Sequence, residues 1–350
     1  MLTLFDETKI SKMNLKNRFI CSAIYEGWAV EKGHVTDELI NHYENLAKGG
    51  VSTIITGFAK IMKFDQPAPN MNVIYDDIFI DEYQELTNKI HEHDTNIIMQ
   101  IVHGGPKWGP SAVEHLVTKT IPKEMSKEDI KEVIQAFADA ALRVKKAGFD
   151  GVQIHAAHGF LLSMFLNPYY NKRTDEYGGS IENRGRIIFE SYEAIREIVG
   201  DDFPVLVKVN CEDFMDEGLN FSDSLIVCDK LSKMGIDAIE VSGGSYSSKE
   251  GEGPIRGNVE VKENESYFKE YAAKIAEMVQ VPVILVGGNR SFNIMTEILN
   301  NTNIEYFSLA RPFICEPDLI DRWLSGDKDP AQCKSCDPCS GVNNCIQILN

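Results

Sequence analysis

Two histidines three residues apart follow a short apolar segment near the middle of the chain. His155 and His158 come directly after Gly151–Ile154, in the run DGVQIHAAHG. Residues at this spacing in a helical turn project to one side, so both rings can reach one ligand. Such a pair can bind a metal, move protons or donate two hydrogen bonds to one oxygen atom. The motif is short, and two histidines with only structural contacts fit it about as well.

A long polar string after the histidines narrows these alternatives. It reads RTDEYGGS over residues 173–180 and continues as ENR over residues 182–184. Together with HAAHG, it closely resembles the Old Yellow Enzyme family of FMN-dependent ene-reductases. Within that family, it resembles the branch that contains the 2,4-dienoyl-CoA reductase-like NADH:flavin oxidoreductases. The resemblance covers about residues 10–325. It implies that His155 and His158 bind the carbonyl oxygen of a substrate above the flavin.

The rest of the chain alternates between short apolar segments and helical patterns. The segments are short and rich in valine and isoleucine, as expected of strands that are buried on both faces. The predicted strands are Arg18–Ile24, Val51–Thr56, Asn96–Val102, Gly151–Ile154, Pro204–Val209, Ala238–Val241, Val283–Val286 and Tyr306–Leu309. The predicted helices lie near residues 37–48, 81–93, 126–147, 184–199, 222–234, 266–279, 291–299 and 317–325.

Strict alternation of this kind predicts a (β/α)8 TIM barrel over residues 1–326, followed by a short cysteine-rich tail over residues 327–350. Residues 1–16 are short and mixed, and we expect them to cover one end of the core. A doubly wound open sheet is the alternative fold. It is disfavoured because no G-x-G-x-x-G motif follows the first strand.

In such a barrel, the residues after each strand gather at one mouth, and several of them suit a flavin. Gln100 offers a donor and an acceptor together, which matches the pyrimidine edge of the ring. Lys208 lies in an apolar strand, where its burial requires an anion such as reduced flavin or an acidic side chain. Gly287 and Gly288, with Arg311 after the next strand, predict a phosphate site.

The resemblance implies further contacts to FMN from the strand ends. Ser22, Ala23 and Ile24 occupy the turn that supplies backbone contacts to the ring in the family. Tyr25 stands where the family often has threonine or cysteine, and it is predicted to tune the flavin. The remaining predicted cofactor contacts are Gly57, Gly244 and Ala310.

The resemblance also implies a reaction. Hydride passes from NAD(P)H through the flavin to an activated C=C bond of an α,β-unsaturated carbonyl compound, whose oxygen His155 and His158 bind. The family usually supplies the proton from a tyrosine at the position of Phe160, and phenylalanine cannot donate one. Either Tyr25, Tyr169, Tyr246 or water takes that role, or the reaction is not ordinary ene reduction.

Four cysteines lie close together in the tail, at Cys333, Cys336, Cys339 and Cys345. The C-x2-C-x2-C spacing is typical of iron–sulfur ligands and is also compatible with a four-cysteine zinc site. The resemblance favours a [4Fe–4S] cluster, although the later spacings differ from those of the dienoyl-CoA reductase relatives. Disulfides or free thiols are the third alternative.

Composition limits the classes of partner. The net charge is −18 and the isoelectric point is about 4.9, which disfavours nucleic acid and anionic membranes. No run approaches the roughly 18 apolar residues of a membrane helix, and the acidic amino terminus is unlike a signal peptide. We therefore predict a cytoplasmic enzyme with a small-molecule substrate, and self-association stays open. Two other functions remain: a flavin electron carrier that uses the tail, and a metal-dependent barrel enzyme that uses His155 and His158.

Overall fold

A closed barrel of eight parallel strands forms the core, in a computed structural model that describes residues 1–29, 33–105, 107–336, 339 and 345. Each strand pairs in parallel with the next along the chain, and β8 pairs with β1 to close the barrel. The predicted (β/α)8 barrel is therefore confirmed. The strands are β1 Phe19–Cys21, β2 Thr53–Ile55, β3 Asn96–Val102, β4 Gly151–Ala156, β5 Val205–Asn210, β6 Ala238–Ser242, β7 Val283–Leu285 and β8 Tyr306–Leu309.

Helices surround the barrel and pack their apolar faces against it. In the longest helix, Ser126 Oγ accepts from the Asp129 N–H at 3.1 Å, and the Asp129 carboxylate accepts from the Ser126 N–H at 2.8 Å. This capping box fixes where the helix begins. The main helices are α1 Asp37–Lys48, α2 Ile80–His91, α3 Lys127–Lys146, α4 Arg186–Val199, α5 Phe221–Met234, α6 Lys269–Met278, α7 Phe292–Asn301 and α8 Leu319–Leu324. None of the described helices is long and apolar enough to cross a bilayer.

Several shorter elements fill the connections. Two antiparallel strands form a hairpin near the amino terminus, Thr8–Ile10 with Met13–Leu15. The other short strands are Ala59–Lys60, Asn72–Val73, Trp108–Gly109 and Lys123–Glu124. The short helices are Asp77–Phe79, Leu161–Leu166, Ile181–Arg184, Lys262–Asn264 and Arg311–Cys315.

The amino-terminal hairpin closes one end of the barrel. Ile10, Met13 and Leu15 are buried in one cluster with the apolar side chains at the start of the strands, including Ile98 and Leu206. The expectation that residues 1–16 cover one end of the core is confirmed.

Polar side chains lie one layer above this apolar cluster. Side chains two positions apart in a strand point to the same side of a sheet. Two residues after the buried Ile20, Ile98, Leu206, Ala238 and Tyr306 come Ser22, Gln100, Lys208, Glu240 and Ser308. All of these polar residues are buried. The barrel interior therefore changes from apolar to polar toward the carboxyl ends of the strands.

The RTDEYGGS string braces the loops around the mouth of the barrel. The Arg173 guanidinium donates to Asp175 at 2.6 and 3.0 Å, and to the carbonyls of Pro110 and Met125 at 2.9 and 2.7 Å. Arg184 forms an ion pair with Asp223 at 2.6 Å. The arginines of the polar string therefore hold the loops at the mouth of the barrel in place, and they do not line the cavity described below.

Candidate active site

A cavity of about 440 Å³ opens at the carboxyl ends of the barrel strands. This size is within the usual range for sites that bind small molecules and cofactors. Its described wall contains arginine and lysine side chains but no aspartate or glutamate. The predicted site residues on the wall are Ser22, Ala23, Ile24, Tyr25, Gln100, His155, His158, Lys208, Gly287, Gly288, Ala310 and Arg311.

Two predicted contacts lie outside this wall. A Cβ atom on Gly57 would lie 2.0 Å from Glu26 Oε2, and one on Gly244 would lie 2.5 Å from the Glu252 carbonyl. Gly57 is therefore required because the buried Glu26 packs against it, and Gly244 because a neighbouring loop does. Neither residue needs a flavin to explain it, and their predicted contacts to the ring stay predictions.

The two histidine rings lie side by side at the cavity. Their centroids are 5.1 Å apart and their planes are perpendicular. His155 Nδ1 accepts from the Ala157 N–H at 3.3 Å, and His158 Nε2 lies 2.8 Å from Ser242 Oγ. His158 has a left-handed backbone with φ of 63°, and its N–H donates to Asn210 Oδ1 at 3.2 Å.

Both imidazoles are held in the neutral form. Burial lowers the pKa of His158 to about 3, and the charge of Lys208 contributes. Burial also lowers the pKa of His155 well below its usual range, with help from His158 and Lys208. A neutral imidazole has one N–H donor and one acceptor nitrogen. Because Nδ1 of His155 accepts a hydrogen bond, its proton lies on Nε2.

A network of side chains forms the floor of the cavity. Glu240 is fully buried, and its Oε2 lies 3.2 Å from Lys208 Nζ and accepts from Gln153 Nε2 at 2.8 Å. Gln153 Oε1 in turn accepts from Gln100 Nε2 at 2.7 Å. Lys208 thus has an acidic partner, which was the alternative explanation for its burial, and it also lines the cavity.

The loops after β7 and β8 form the opposite wall. Gly287 and Gly288 have φ angles of 104° and 76°, and a Cβ on either would lie 2.6 or 2.7 Å from an aromatic ring. Only glycine combines these angles with this lack of space. Next to them, Arg290 lines the cavity, and its Nε is buried without a hydrogen-bond partner among the described residues.

Aromatic rings cover the side of the cavity that faces the histidines. Tyr25 stacks on Phe58 at 5.6 Å, Phe58 lies 5.3 Å from Phe160, and Phe160 lies 4.8 Å from His155. The Tyr25 hydroxyl donates to the Pro69 carbonyl. Phe160, at the position of the usual tyrosine donor, therefore gives this wall an apolar ring beside the imidazoles.

Known proteins match nearly the whole chain. The sequence profile of the NADH:flavin oxidoreductase / NADH oxidase family matches residues 3–329. The chain belongs to this family. This flavin oxidoreductase is 32% identical to an NADPH dehydrogenase of Bacillus subtilis over 322 residues, which cover 90% of this chain and 92% of the relative. The resemblance to the Old Yellow Enzyme family is thereby confirmed, whereas its narrower placement in the 2,4-dienoyl-CoA reductase-like branch stays a prediction.

Other relatives of the flavin oxidoreductase are longer. A metal reductase of Desulforamulus reducens is 32% identical over 353 residues, which cover 98% of this chain and 51% of the relative. The chain thus spans about half the length of that protein. The solved structure of a 2-naphthoyl-CoA reductase bound to 2-naphthoyl-CoA has a TM-score of 0.91 at 22% identity, covering 98% of this chain and 56% of that one.

The cavity of the flavin oxidoreductase fits FMN, the cofactor of its family. The orphaned Nε of Arg290, close in sequence to the tight Gly287-Gly288 turn, suits a phosphate, for which backbone N–H groups and guanidinium groups are the usual donors. The polar floor suits the heteroatom edge of the ring. Gln100 retains its carbonyl oxygen and one N–H, because only one N–H is used on Gln153.

The tail cysteines of the flavin oxidoreductase are only partly described. Cys333 and Cys339 line the same cavity as the histidines, and Cys336 is exposed. Cys345 Sγ lies 3.5 Å from Cys315 Sγ, so Cys315 lies beside a tail cysteine although it precedes the tail in the sequence. Burial raises the pKa of Cys315 to about 12, and the neighbouring Cys345 contributes.

Among the described residues, no group of three histidine, cysteine, aspartate or glutamate side chains could hold a metal ion. This applies to the tail and to the histidine pair alike. The predicted ligands Cys333, Cys336, Cys339 and Cys345 therefore do not form a site among these residues, and they stay a prediction.

Several functional residues of the flavin oxidoreductase were missed in the sequence. Glu240 and Gln153 connect the floor, and Arg290 lies beside the glycine turn. Phe58 contributes to the aromatic wall. A usable signal existed for Glu240: it is a lone acid in an apolar strand, as Lys208 is a lone base. Arg290 directly follows the Gly287-Gly288-Asn289 turn and could have been found by its position.

Proposed function

We propose that this protein reduces the activated C=C bond of α,β-unsaturated carbonyl compounds, with NAD(P)H as reductant and FMN as cofactor. The observation that carries the proposal is the pair of neutral imidazoles beside a cavity whose described wall contains no carboxylate. Bound FMN would supply the chemistry by taking hydride from NAD(P)H and passing it to the β-carbon of the substrate.

The histidine pair binds the carbonyl oxygen of the substrate. His155 donates from Nε2, since its Nδ1 accepts from the Ala157 N–H. When Ser242 donates to Nε2 of His158, the proton of that ring lies on Nδ1, which makes it the second donor. Negative charge develops on the carbonyl oxygen during hydride addition, and two fixed donors stabilise it.

The proton for the α-carbon must come from a group other than residue 160. Of the three tyrosines considered, Tyr25 and Tyr246 line the cavity, and Tyr169 does not. Tyr246 is 73% exposed, so it can exchange its proton with solvent. We therefore assign the transfer to Tyr246 or to water beside it. Tyr246→Phe with Tyr25→Phe as its control separates these sources, because only a tyrosine donor loses turnover on removal of its hydroxyl.

The wall also suggests the substrate class. Lys208, Arg290 and Arg311 are the charged groups of the described wall. Glu240 and Glu265 lie 3.2 and 3.7 Å from the first two and offset part of their charge. Because neither acid lines the cavity, a neutral or anionic compound is still favoured over an ammonium compound. The rings of Tyr25, Phe58 and Phe160 favour a flat substrate that can stack against them. We propose a conjugated, planar carbonyl compound.

The two other functions make different predictions. An electron carrier would hold FMN, but enones would not reoxidise its reduced flavin. A metal enzyme would be colourless and would need ligands beyond the histidine pair, and the described residues contain no such group of three. A [4Fe–4S] or zinc site in the tail, a place in the cytoplasm and self-association are further proposals from the sequence.

The experiment is an absorption spectrum of the purified protein followed by an anaerobic cycle. Addition of NADH or NADPH should bleach the flavin bands, and a panel of planar enones should restore them. Reoxidation by oxygen but by no enone would refute ene reduction and favour the electron carrier. A protein that holds no FMN would refute the cofactor assignment.

A further inference from the structure

A buried carboxylate beneath the cavity has no place in the function proposed above. Glu240 is fully buried in β6 and lies in register with Lys208 on the neighbouring strand β5. Its Oε1 accepts from Ser22 Oγ and from Ser308 Oγ, both at 2.7 Å. Its Oε2 accepts from Gln153 Nε2 at 2.8 Å and lies 3.2 Å from Lys208 Nζ. The carboxylate therefore accepts three hydrogen bonds, and the Lys208 ammonium lies beside it as an ion-pair partner.

The contacts of Glu240 lead directly to the cavity wall. Ser22, Lys208 and Ser308 line the cavity, and Gln153 holds Gln100, which lines it as well. Lys208 Nζ also donates to Ser22 Oγ at 3.0 Å. The ammonium thus donates one hydrogen bond within the floor and lies beside Glu240, which leaves donor capacity for a ligand. Glu240 therefore helps to fix the position of the Lys208 ammonium group.

Glu240 also sets the net charge of the cavity floor. A lysine alone would favour any negative charge that forms above it, and a carboxylate at 3.2 Å offsets much of that effect. Water does not screen the pair, because both groups are buried. Reduced flavin carries more negative charge than oxidised flavin, so the net charge of the cavity floor changes the relative affinity for the two forms.

We propose that Glu240 is a positioning residue that fixes Lys208 and partly cancels its charge, and thereby keeps the reduction potential of bound FMN low. A low potential makes the reduced cofactor a stronger hydride donor. The inference depends on FMN binding in the cavity and not on which compound oxidises it.

The test is the midpoint potential of FMN in the holoprotein, measured by dye equilibration without any enone. In Glu240→Gln, Lys208 loses its counter-charge, and the potential should become more positive. We expect the ratio of affinities for reduced and oxidised FMN to rise at least tenfold, which corresponds to about 30 mV for a two-electron couple. Glu240→Asp keeps the charge and should restore most of the original value.

Glu26→Gln is the matched control. Glu26 is also a buried acid, but its partners Tyr43, Gly57 and Asn72 do not line the cavity. Burial raises its pKa to about 8, so it is largely uncharged at pH 7 and its replacement changes little charge. The potential should stay within the error of the wild type.

An unchanged or more negative potential in Glu240→Gln would overturn the proposal, because a purely structural role weakens both redox forms equally. If Glu240→Gln does not fold, Lys208→Gln is compared with the double variant Lys208→Gln/Glu240→Gln. The single variant keeps an unpaired carboxylate and should have the lower potential, again by a tenfold ratio or more. Equal potentials would overturn the proposal. A positive shift in a protein that reduces no enone would refute ene reduction alone.

Discussion

Replacement of Arg290 by glutamine should weaken the binding of FMN but not of riboflavin. Arg290 Nη2 donates to the Ala331 carbonyl at 2.7 Å, and its buried Nε has no partner among the described residues. A hydrogen bond to a charged group contributes roughly 1.5–3 kcal/mol. If the FMN phosphate accepts from this Nε, its loss should raise the Kd of FMN roughly 10- to 150-fold.

The assay is a fluorescence titration of the apoprotein with each flavin. Riboflavin has no phosphate, so its Kd should change by less than about threefold, a free-energy difference under about 0.7 kcal/mol. Arg18→Gln is the control, because Arg18 Nε is also buried without a partner in the described part of the chain, but Arg18 does not line the cavity and donates to the Glu305 carbonyl. This variant should keep the wild-type preference for FMN.

An equal loss of affinity for both flavins would refute the reasoning. Arg290 would then act by holding the start of the tail at Ala331, and not by binding phosphate. No loss for either flavin would refute it as well, and it would move the phosphate site toward Arg311.

Three further predictions follow from the site. His155→Ala and His158→Ala should each lower enone turnover about 10²- to 10³-fold, as loss of an oxyanion donor does. Bleaching of the flavin by NADH should be retained, and stopped-flow measurement of the two half-reactions checks both expectations. The lowered pKa values of both imidazoles mean that only the unfolded chain binds their protons below pH 6.5. The free energy of unfolding should therefore fall by about 1 kcal/mol for each ring between pH 6.5 and 5.5, and by nearly 1.4 kcal/mol per pH unit below that. Urea titrations at pH 6.5 and 5.5 should show a smaller fall in His155→Asn/His158→Asn. Burial raises the pKa of Glu26 to about 8 from its usual 4.5, so the stability that its neutral form contributes is lost as the pH rises through 8. The free energy of unfolding of Glu26→Gln should therefore increase relative to that of the wild type between pH 5 and 8. A constant difference across that range would contradict the assignment.

The regular elements could be predicted because their patterns are local. The bounds of β3 and β8 match the predicted segments, and the helix predicted over residues 126–147 matches α3 to within one residue at each end. Leu161–Leu166 was missed because a short run that is apolar on every side has no period that identifies a helix. Arg311–Cys315 was missed because its helix begins at the residue before a proline, which the sequence indicates as a turn.

The site could be predicted where the residue type alone implies burial or a backbone requirement. Lys208 and the Gly287-Gly288 turn are of this kind, and both line the cavity. The sequence could not show which neighbour makes a glycine necessary, so Gly57 was assigned to the flavin although Glu26 occupies its space. It also could not show that Cys315 lies beside Cys345, because that proximity depends on how the tail folds back.

The hairpin at the amino terminus has a kinetic consequence. With Ile10, Met13 and Leu15 filling the far end of the barrel, a reductant and an oxidant would both reach bound FMN through the cavity at the carboxyl ends of the strands. The oxidised nicotinamide must then depart before the second reactant arrives. We expect parallel lines in double-reciprocal plots when one reactant is varied at several fixed levels of the other, and inhibition by excess of either.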